Sequence, residues 1–323
     1  MPPNRRRIPG RVSGENVVIE VAWLYYQEGL NQKDIAARLG LSRATVVNYL
    51  QAARERGLIR ITLNSDAFTT HRLARDLCAK YGLKAAFVVP DEGDGGSSRF
   101  FRVVQGAADW LPELVAPGDR LGVAWGRTIY ELTGALGEHR IEDVQVLQLI
   151  GSMATPYGFT AEACSTRLAQ RLGAECHNLH APAILSSARL ADALRAEPLI
   201  RAQLARLASV NKWLFAVGTC QKDSHIVVSG LATPEDMAWY VAQGAEGVLC
   251  GHFIDAEGRA IDGPLEPRMI GVALDQLVGL PMGILVTGGL DKVAATRAAI
   301  RGGYVTHLVT ALSVAEALLE ESP

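Results

Sequence analysis

The chain has 323 residues, of which 49% are hydrophobic, 20% charged and 6% aromatic, and 32 Lys+Arg stand against 34 Asp+Glu for a formal charge of −2. That composition supplies a sizeable core and excludes wholesale disorder, and the length points to two domains. No segment approaches the roughly 18 to 20 consecutive apolar residues of a bilayer span, and no apolar run follows the basic N-terminal residues as a secretory signal requires, so a cytoplasmic protein without a membrane partner is expected.

Residues 1–14 are rich in Pro and Arg, lack periodicity and read as a flexible arm. Residues 15–63 then predict three helices. The first covers about residues 15–28, with Val18, Val21, Ala22, Leu24 and Tyr25 on one face and Gly29 at its end. The second runs from Gln32 to Leu39 behind Asn31, a good N-cap residue, with Asp34 three positions on, and stops at Gly40. The third starts behind Ser42, another N-cap residue, and ends near Arg56, before Gly57. Leu58 to Leu63 alternates in polarity and predicts a short strand.

The spacing of Ala36, Gly40 and Val46 fits a helix-turn-helix. Ala36 must be small because the following helix crosses close to it. Gly40 takes a turn conformation that a Cβ would penalise. Ile35, Leu39, Val46 and Leu50 fill the core between the helices. The outer face is left with Ser42, Arg43, Thr45, Asn48 and Tyr49, of which Ser42, Arg43, Thr45 and Asn48 are read toward base edges in a major groove, while Gln32, Lys33 and Arg54 are placed to meet phosphates. The charge agrees. Residues 1–63 hold ten Lys and Arg against five acids, a charge of +5 that leaves −7 on the remainder. The near-neutral total thus hides a basic head on an acidic body, and operator DNA is the expected partner of the head.

The polar stretch Asn64–Thr70 predicts a hinge, and the helix that follows over about residues 70–80 is either part of the body or a dimer-forming connector; residues 64–82 are read as a linker and connector. From Leu83 onward, apolar runs at Ala85–Val89, Leu121–Trp125, Val144–Ile150, Trp213–Val217, Gly247–Cys250, Ile284–Thr287 and His307–Thr310 alternate with helical stretches. Short apolar strands between helices predict an α/β domain over residues 83–323, with a mostly parallel sheet covered on both faces. Residues 91–98, rich in Gly, Asp and Ser, predict a surface loop.

Ligands of such sheets sit at the carboxyl ends of strands, where helix N-termini favour anions. Two junctions fit. Trp125-Gly126-Arg127-Thr128 closes one strand and opens a helix, offering a close backbone approach, a charge and a hydroxyl. Gly288 and Gly289 follow another strand, and Lys292 lies in the next first helical turn, where a cation opposes the dipole and so calls for an anionic partner. Gly151 and Ser152 form a third, weaker junction. Each of these is also compatible with a plain turn. Asp255 either binds sugar hydroxyls or caps its own turn. The five cysteines form no C-x-x-C pair and the histidines have no metal spacing, so no metal or other cofactor is expected. No Ser–His–acid set or acid pair is legible, and the chain is not expected to be an enzyme.

Taken together, the stretch from Tyr25 to Ile59, Trp125-Gly126-Arg127-Thr128, Gln148 to Gly151, Ala181-Pro182, Phe253 to Gly258, and Gly288-Gly289 with Lys292 resemble, in order, the SorC family of bacterial sugar-responsive transcriptional regulators. The resemblance implies a helix-turn-helix domain followed by a Rossmann-like effector domain of the sugar-phosphate-isomerase type. It also implies a sugar-phosphate effector held by Gly126, Arg127, Thr128, Gly288, Gly289 and Lys292, and dimers or tetramers on operator DNA. One position departs from the family pattern: Ala311 stands where the family carries an acid at the end of its last strand. An isomerase-like enzyme with an appended DNA-binding domain is the alternative reading, and a body serving only oligomerisation is a third.

Overall fold

The computed structural model describes residues 14–59, 64–91, 96–153 and 158–320. The arm before Gly14, residues 60–63 of the expected strand and residues 92–95 of the expected loop lie outside the described residues. The chain divides into two compact units, residues 1–62 and 63–323.

The first unit holds α1 (Gly14–Tyr26), α2 (Gln32–Leu39) and α3 (Arg43–Glu55). Both predicted caps form: the Asn31 side chain accepts from the backbone N–H of Lys33 and Asp34, and Ser42 accepts from Thr45. Asp34 does not close a capping box, because its carboxylate accepts from the Asn31 side-chain amide instead. Gly40 has φ 68°, the left-handed conformation the turn demands. Val21, Leu24, Ile35, Ala36, Val46 and Leu50 form the core.

The second unit begins with α4 (Ser65–Thr69) and α5 (Arg72–Tyr81), followed by β1 (Ala85–Val89), α6 (Gly96–Leu114), β2 (Arg120–Val123), α7 (Arg127–Ala135), β3 (Gln145–Gln148), α8 (Ala161–Leu172) and β4 (Glu175–His177). It continues through α9 (Ala188–Ala196), α10 (Pro198–Arg206), β5 (Lys212–Phe215), α11 (His225–Val228), α12 (Pro234–Ala242), β6 (Gly247–Leu249) and β7 (His252–Ile254). The chain closes with β8 (Met282–Thr287), α13 (Val293–Arg301), β9 (His307–Ala311) and α14 (Leu312–Glu320).

The expected hinge is structured. Asn64 caps α4, and Phe68 stacks on Phe87 of β1 at 4.9 Å. Ala74 and Leu77 of α5 are buried in the main core. Residues 64–82 therefore pack as part of the larger unit rather than as a free connector. Of the loop expected at residues 91–98, residues 96–98 belong to α6, which starts at Gly96.

Seven parallel strands form one sheet in the order β1-β9-β8-β5-β2-β3-β4. Their residues are buried almost without alternation, as a sheet covered on both faces requires. One row of helices consists of α6, α7 and α8, and α5, α14 and α13 form another. The run expected as a sheet strand at Gly247–Cys250 pairs instead with β7 in a separate antiparallel hairpin. From β2 the chain moves to β3 and β4 on one side, whereas from β5 it moves to β8 and β9 on the other. The sheet therefore has its switch point between the neighbours β2 and β5, where a crevice opens at the strands' carboxyl ends. Between β5 and β8 lies an excursion over residues 216–281 that carries α11, α12 and the β6–β7 hairpin. Its core includes Tyr240 stacked on Phe253 at 3.9 Å. Among the described residues, no helix is long and apolar enough to cross a membrane.

Candidate functional site

In the first unit, Ser42, Arg43 and Asn48 of the third helix are exposed and Thr45 is half-buried. Arg43 Nε donates to Gln32 Oε1 at 3.3 Å, which links the start of α3 to the start of α2 and steadies the guanidinium. Arg54 Nε donates to the Tyr26 hydroxyl at 2.7 Å. Lys33 is exposed in the first turn of α2. The Ser42 hydroxyl is occupied, bonding the Thr45 N–H at 3.0 Å and the Thr45 hydroxyl at 2.8 Å. Asn48 is thus the group on this face least committed to the fold, and Arg43 is oriented through Nε while its terminal guanidinium N–H groups make no bond among the described residues.

In the second unit, a cavity of about 340 Å³ lies at the β2–β5 switch point, a size that suits a small metabolite. One wall is the β2–α7 junction, with Trp125, Gly126, Arg127 and Thr128. Gly126 has φ 119° and ψ 169°, which places the first N–H groups of α7 at the cavity. The Arg127 guanidinium lies over the Phe100 ring, 4.6 Å from its centroid. Lys292 joins this wall from the turn after β8. The opposite wall comes from the excursion: Gly218, Thr219, Gln221, Asp223, Ser224 and His225, together with the hairpin tip Cys250–Gly251. Gly218 and Val248 exchange backbone hydrogen bonds of 2.9 and 3.0 Å, which pins the hairpin to the end of β5. Cys250 has φ 49°, an uncommon conformation for a side chain other than glycine, and such strain concentrates at functional sites.

Positive charge gathers at one part of the cavity, around Arg127 and Lys292, while Asp223 and Asp291 also line it. Burial pushes the Lys292 pKa down, Asp291 opposes that shift and Arg127 adds to it. Burial also lowers the pKa of His225, as do the charges of Lys292 and Arg127. Cationic groups that depress one another gain from a negative ligand placed among them.

The expected residues Gly126, Arg127, Thr128 and Lys292 therefore meet at one cavity. Gly288 and Gly289 do not line it. A Cβ on Gly288 would sit 2.9 Å from Val103, and Gly289 begins the 3₁₀ turn that delivers Lys292. Gly151 lies against the backbone of residues 181–183, and Ser152 bridges to Pro182, so that junction is a packing contact outside the cavity. Asp255 accepts from the N–H groups of Glu257 and Arg259 and pairs with Arg259 Nε at 2.9 Å. Burial works to raise its pKa, but the hydrogen bonds from Arg259 prevail and hold the carboxyl below the usual range. Of the two roles weighed for Asp255, it fills the turn-capping one. Ala311 is fully buried, and the acid near that strand end is Asp91, which accepts from the Ser313 N–H and pairs with Arg99 at 2.7 Å. The sequence reading missed Thr219, Gln221, Asp223, Ser224 and His225, although Gly218 directly after an apolar strand was a signal of the kind used for the other junctions.

Residues 65–320 match the family described as "Putative sugar-binding domain", and residues 21–66 match the MarR family. The chain belongs to the SorC family of sugar-binding transcriptional regulators. Its relatives include the transcriptional regulator YjhU of Escherichia coli K12, 36% identical over 310 residues and 94% of each chain. The transcriptional regulator LsrR of Klebsiella pneumoniae is 31% identical over 312 residues, which cover 94% of this chain and 93% of that one. The deoxyribonucleoside regulator of Bacillus subtilis is 30% identical over 308 residues, 95% of this chain and 98% of that one. Among solved structures, the full-length sorbitol operon regulator SorC of Klebsiella pneumoniae superposes with TM-score 0.76 at 25% identity, covering 96% of this chain and all of the other. This family member is a sugar-responsive, DNA-binding transcriptional regulator.

Proposed function

We propose that this regulator binds its operator through Arg43 and Asn48 at base edges and Gln32, Lys33 and Arg54 at phosphates, and that a phosphorylated sugar or polyol in the β2–β5 cavity controls that binding. The convergence of Arg127, Lys292 and His225 with the N-terminus of α7 on one cavity carries this reading. A phosphate answers all four features at once. Two relatives are named for a deoxyribonucleoside and for the sorbitol operon, which agrees with a small polyhydroxylated effector. The body binds this effector without turning it over, in the cytoplasm, where sugar phosphates and the operator meet. Homo-oligomers present several heads to one operator, which offsets the modest affinity of each basic head beside an acidic body. An effector acts because it binds the DNA-competent and DNA-incompetent assemblies with unequal affinity.

The test is fluorescence anisotropy on operator DNA selected from genomic fragments, titrated with a panel of sugar phosphates. One panel member should shift operator affinity, and Lys292→Ala should abolish the shift while leaving DNA binding intact. A Lys292→Ala protein that responds like the parent removes the phosphate reading.

A further inference from the structure

The wall facing Arg127 and Lys292 carries a different chemistry. Its loop, residues 219–224 after β5, brings a carboxylate (Asp223), a carboxamide (Gln221) and two hydroxyls (Thr219 and Ser224) to the cavity. Ser224 is decisive. It is 9% exposed, yet its hydroxyl finds no hydrogen-bond partner among the described residues. It occupies the N-cap position of α11 with extended backbone angles, φ −64° and ψ 153°, in which a serine ordinarily caps, but it makes no capping bond. A buried, unused hydroxyl at a cavity wall is costly unless a ligand satisfies it. Asp223 can only accept, so it suits hydroxyl donors and repels a phosphate. Asp255 is committed to its own turn and Ala311 has no polar atom, so neither position supplies these contacts.

We propose that Asp223 and Ser224 read the effector's hydroxyl groups, making the cavity two-ended: phosphate at Arg127 and Lys292, polyhydroxyl chain at the 219–224 loop. The assignment rests on the sugar-phosphate reading above and deepens it by naming the specificity residues.

Isothermal titration of the full chain distinguishes the two levels. The probes are inorganic phosphate and a panel of aldopentose, aldohexose and ketohexose monophosphates. The variants are Ser224→Ala, Asp223→Asn and Lys292→Ala. Ser224→Ala and Asp223→Asn should each weaken the tightest panel member about tenfold, the loss of one good hydrogen bond, while neither weakens inorganic phosphate by more than about twofold. Ser224→Ala should not lower Tm, because the deleted hydroxyl has no partner among the described residues. Lys292→Ala should weaken both classes of probe. Unchanged sugar-phosphate affinity in Ser224→Ala and Asp223→Asn, or parallel losses for phosphate and sugar phosphate, overturns the hydroxyl assignment alone. Equal binding by parent and Lys292→Ala overturns the underlying phosphate reading. A parent protein that binds phosphate but no panel member better than phosphate overturns the polyhydroxyl class.

Discussion

Gly126→Ala tests the phosphate wall with almost no chemical change. A Cβ on Gly126 would meet nothing within 4 Å, so the substitution creates no clash. Its whole cost is conformational. At φ 119° and ψ 169° the residue lies in a region essentially reserved for glycine, and holding alanine there costs about 1–3 kcal/mol. The protein has two ways to respond. If the backbone keeps its path, the strain appears as lost stability, about 2 °C of Tm per kcal/mol for a unit of this size. If the backbone relaxes, the leading N–H groups of α7 turn away from the cavity and the same energy appears as lost anion affinity. One kcal/mol is about fivefold in Kd and three about 150-fold. Differential scanning calorimetry and titration with inorganic phosphate measure the two parts, and together they should account for about 1–3 kcal/mol. A variant with parental Tm and parental phosphate affinity would refute the claim that this glycine sets the cavity's backbone.

Three further outcomes follow from other parts of the molecule. Arg43→Ala should weaken specific operator binding by about 1–3 kcal/mol, whereas Lys33→Ala should weaken all DNA alike and reduce the salt slope of log K by about one; equal losses on specific and non-specific DNA for both would show that neither reads bases. Asp119 holds the N-terminal ends of β2 and β5 together, pairing with Lys212 at 2.6 Å and accepting from Asn211 at 3.0 Å and the Ala116 N–H at 2.7 Å. Asp119→Ala leaves a largely buried lysine charge without its counter-ion, held among the described residues only by the Leu114 carbonyl at 2.7 Å, and should cost about 3–5 kcal/mol in urea unfolding; a loss under about 1 kcal/mol would contradict that. His307 is buried, and burial with Lys84 and Lys212 depresses its pKa from 6.5 to about 4. The unfolded chain then takes up this proton first, so stability is full above pH 6.5 and falls toward pH 4, by about 3 kcal/mol in total. His307→Gln should flatten that part of the pH profile, and identical slopes in parent and variant would exclude His307 as a source.

The head was legible because its signals are local. Asn31, Ser42, Gly40 and Ala36 act within a turn or two of their own positions, and their spacing survives without any tertiary knowledge. The central strands were legible because burial on both faces writes a continuous apolar run. β4 was not, since Glu175, Cys176 and His177 form a half-exposed edge without such a run. The β6 run was visible, but an apolar run does not name its partner, and β6 pairs in a hairpin. The phosphate wall could be found from glycines at strand ends. The opposite wall could not be found in full, because Gln221, Asp223 and Ser224 are ordinary loop residues until the excursion folds back over the sheet. Asp255 was legible only as a pair of alternatives, a sugar contact or a turn cap, because the arginine four residues on that engages it acts only once the turn has formed.

The two walls of the cavity also differ in how they can be rebuilt. Trp125–Thr128 is fixed by the central sheet and by the start of α7, so change there is felt throughout the core. The facing wall belongs to the residue 216–281 excursion, whose hairpin is anchored to β5 through the Gly218–Val248 backbone exchange, a contact that needs no particular side chain. It is in effect an exchangeable cassette. Variation confined to residues 219–224 and the Cys250–Gly251 tip would retune which metabolite is sensed while leaving anion capture and the DNA-reading head untouched, and that is where a biosensor library built on this chain should be aimed.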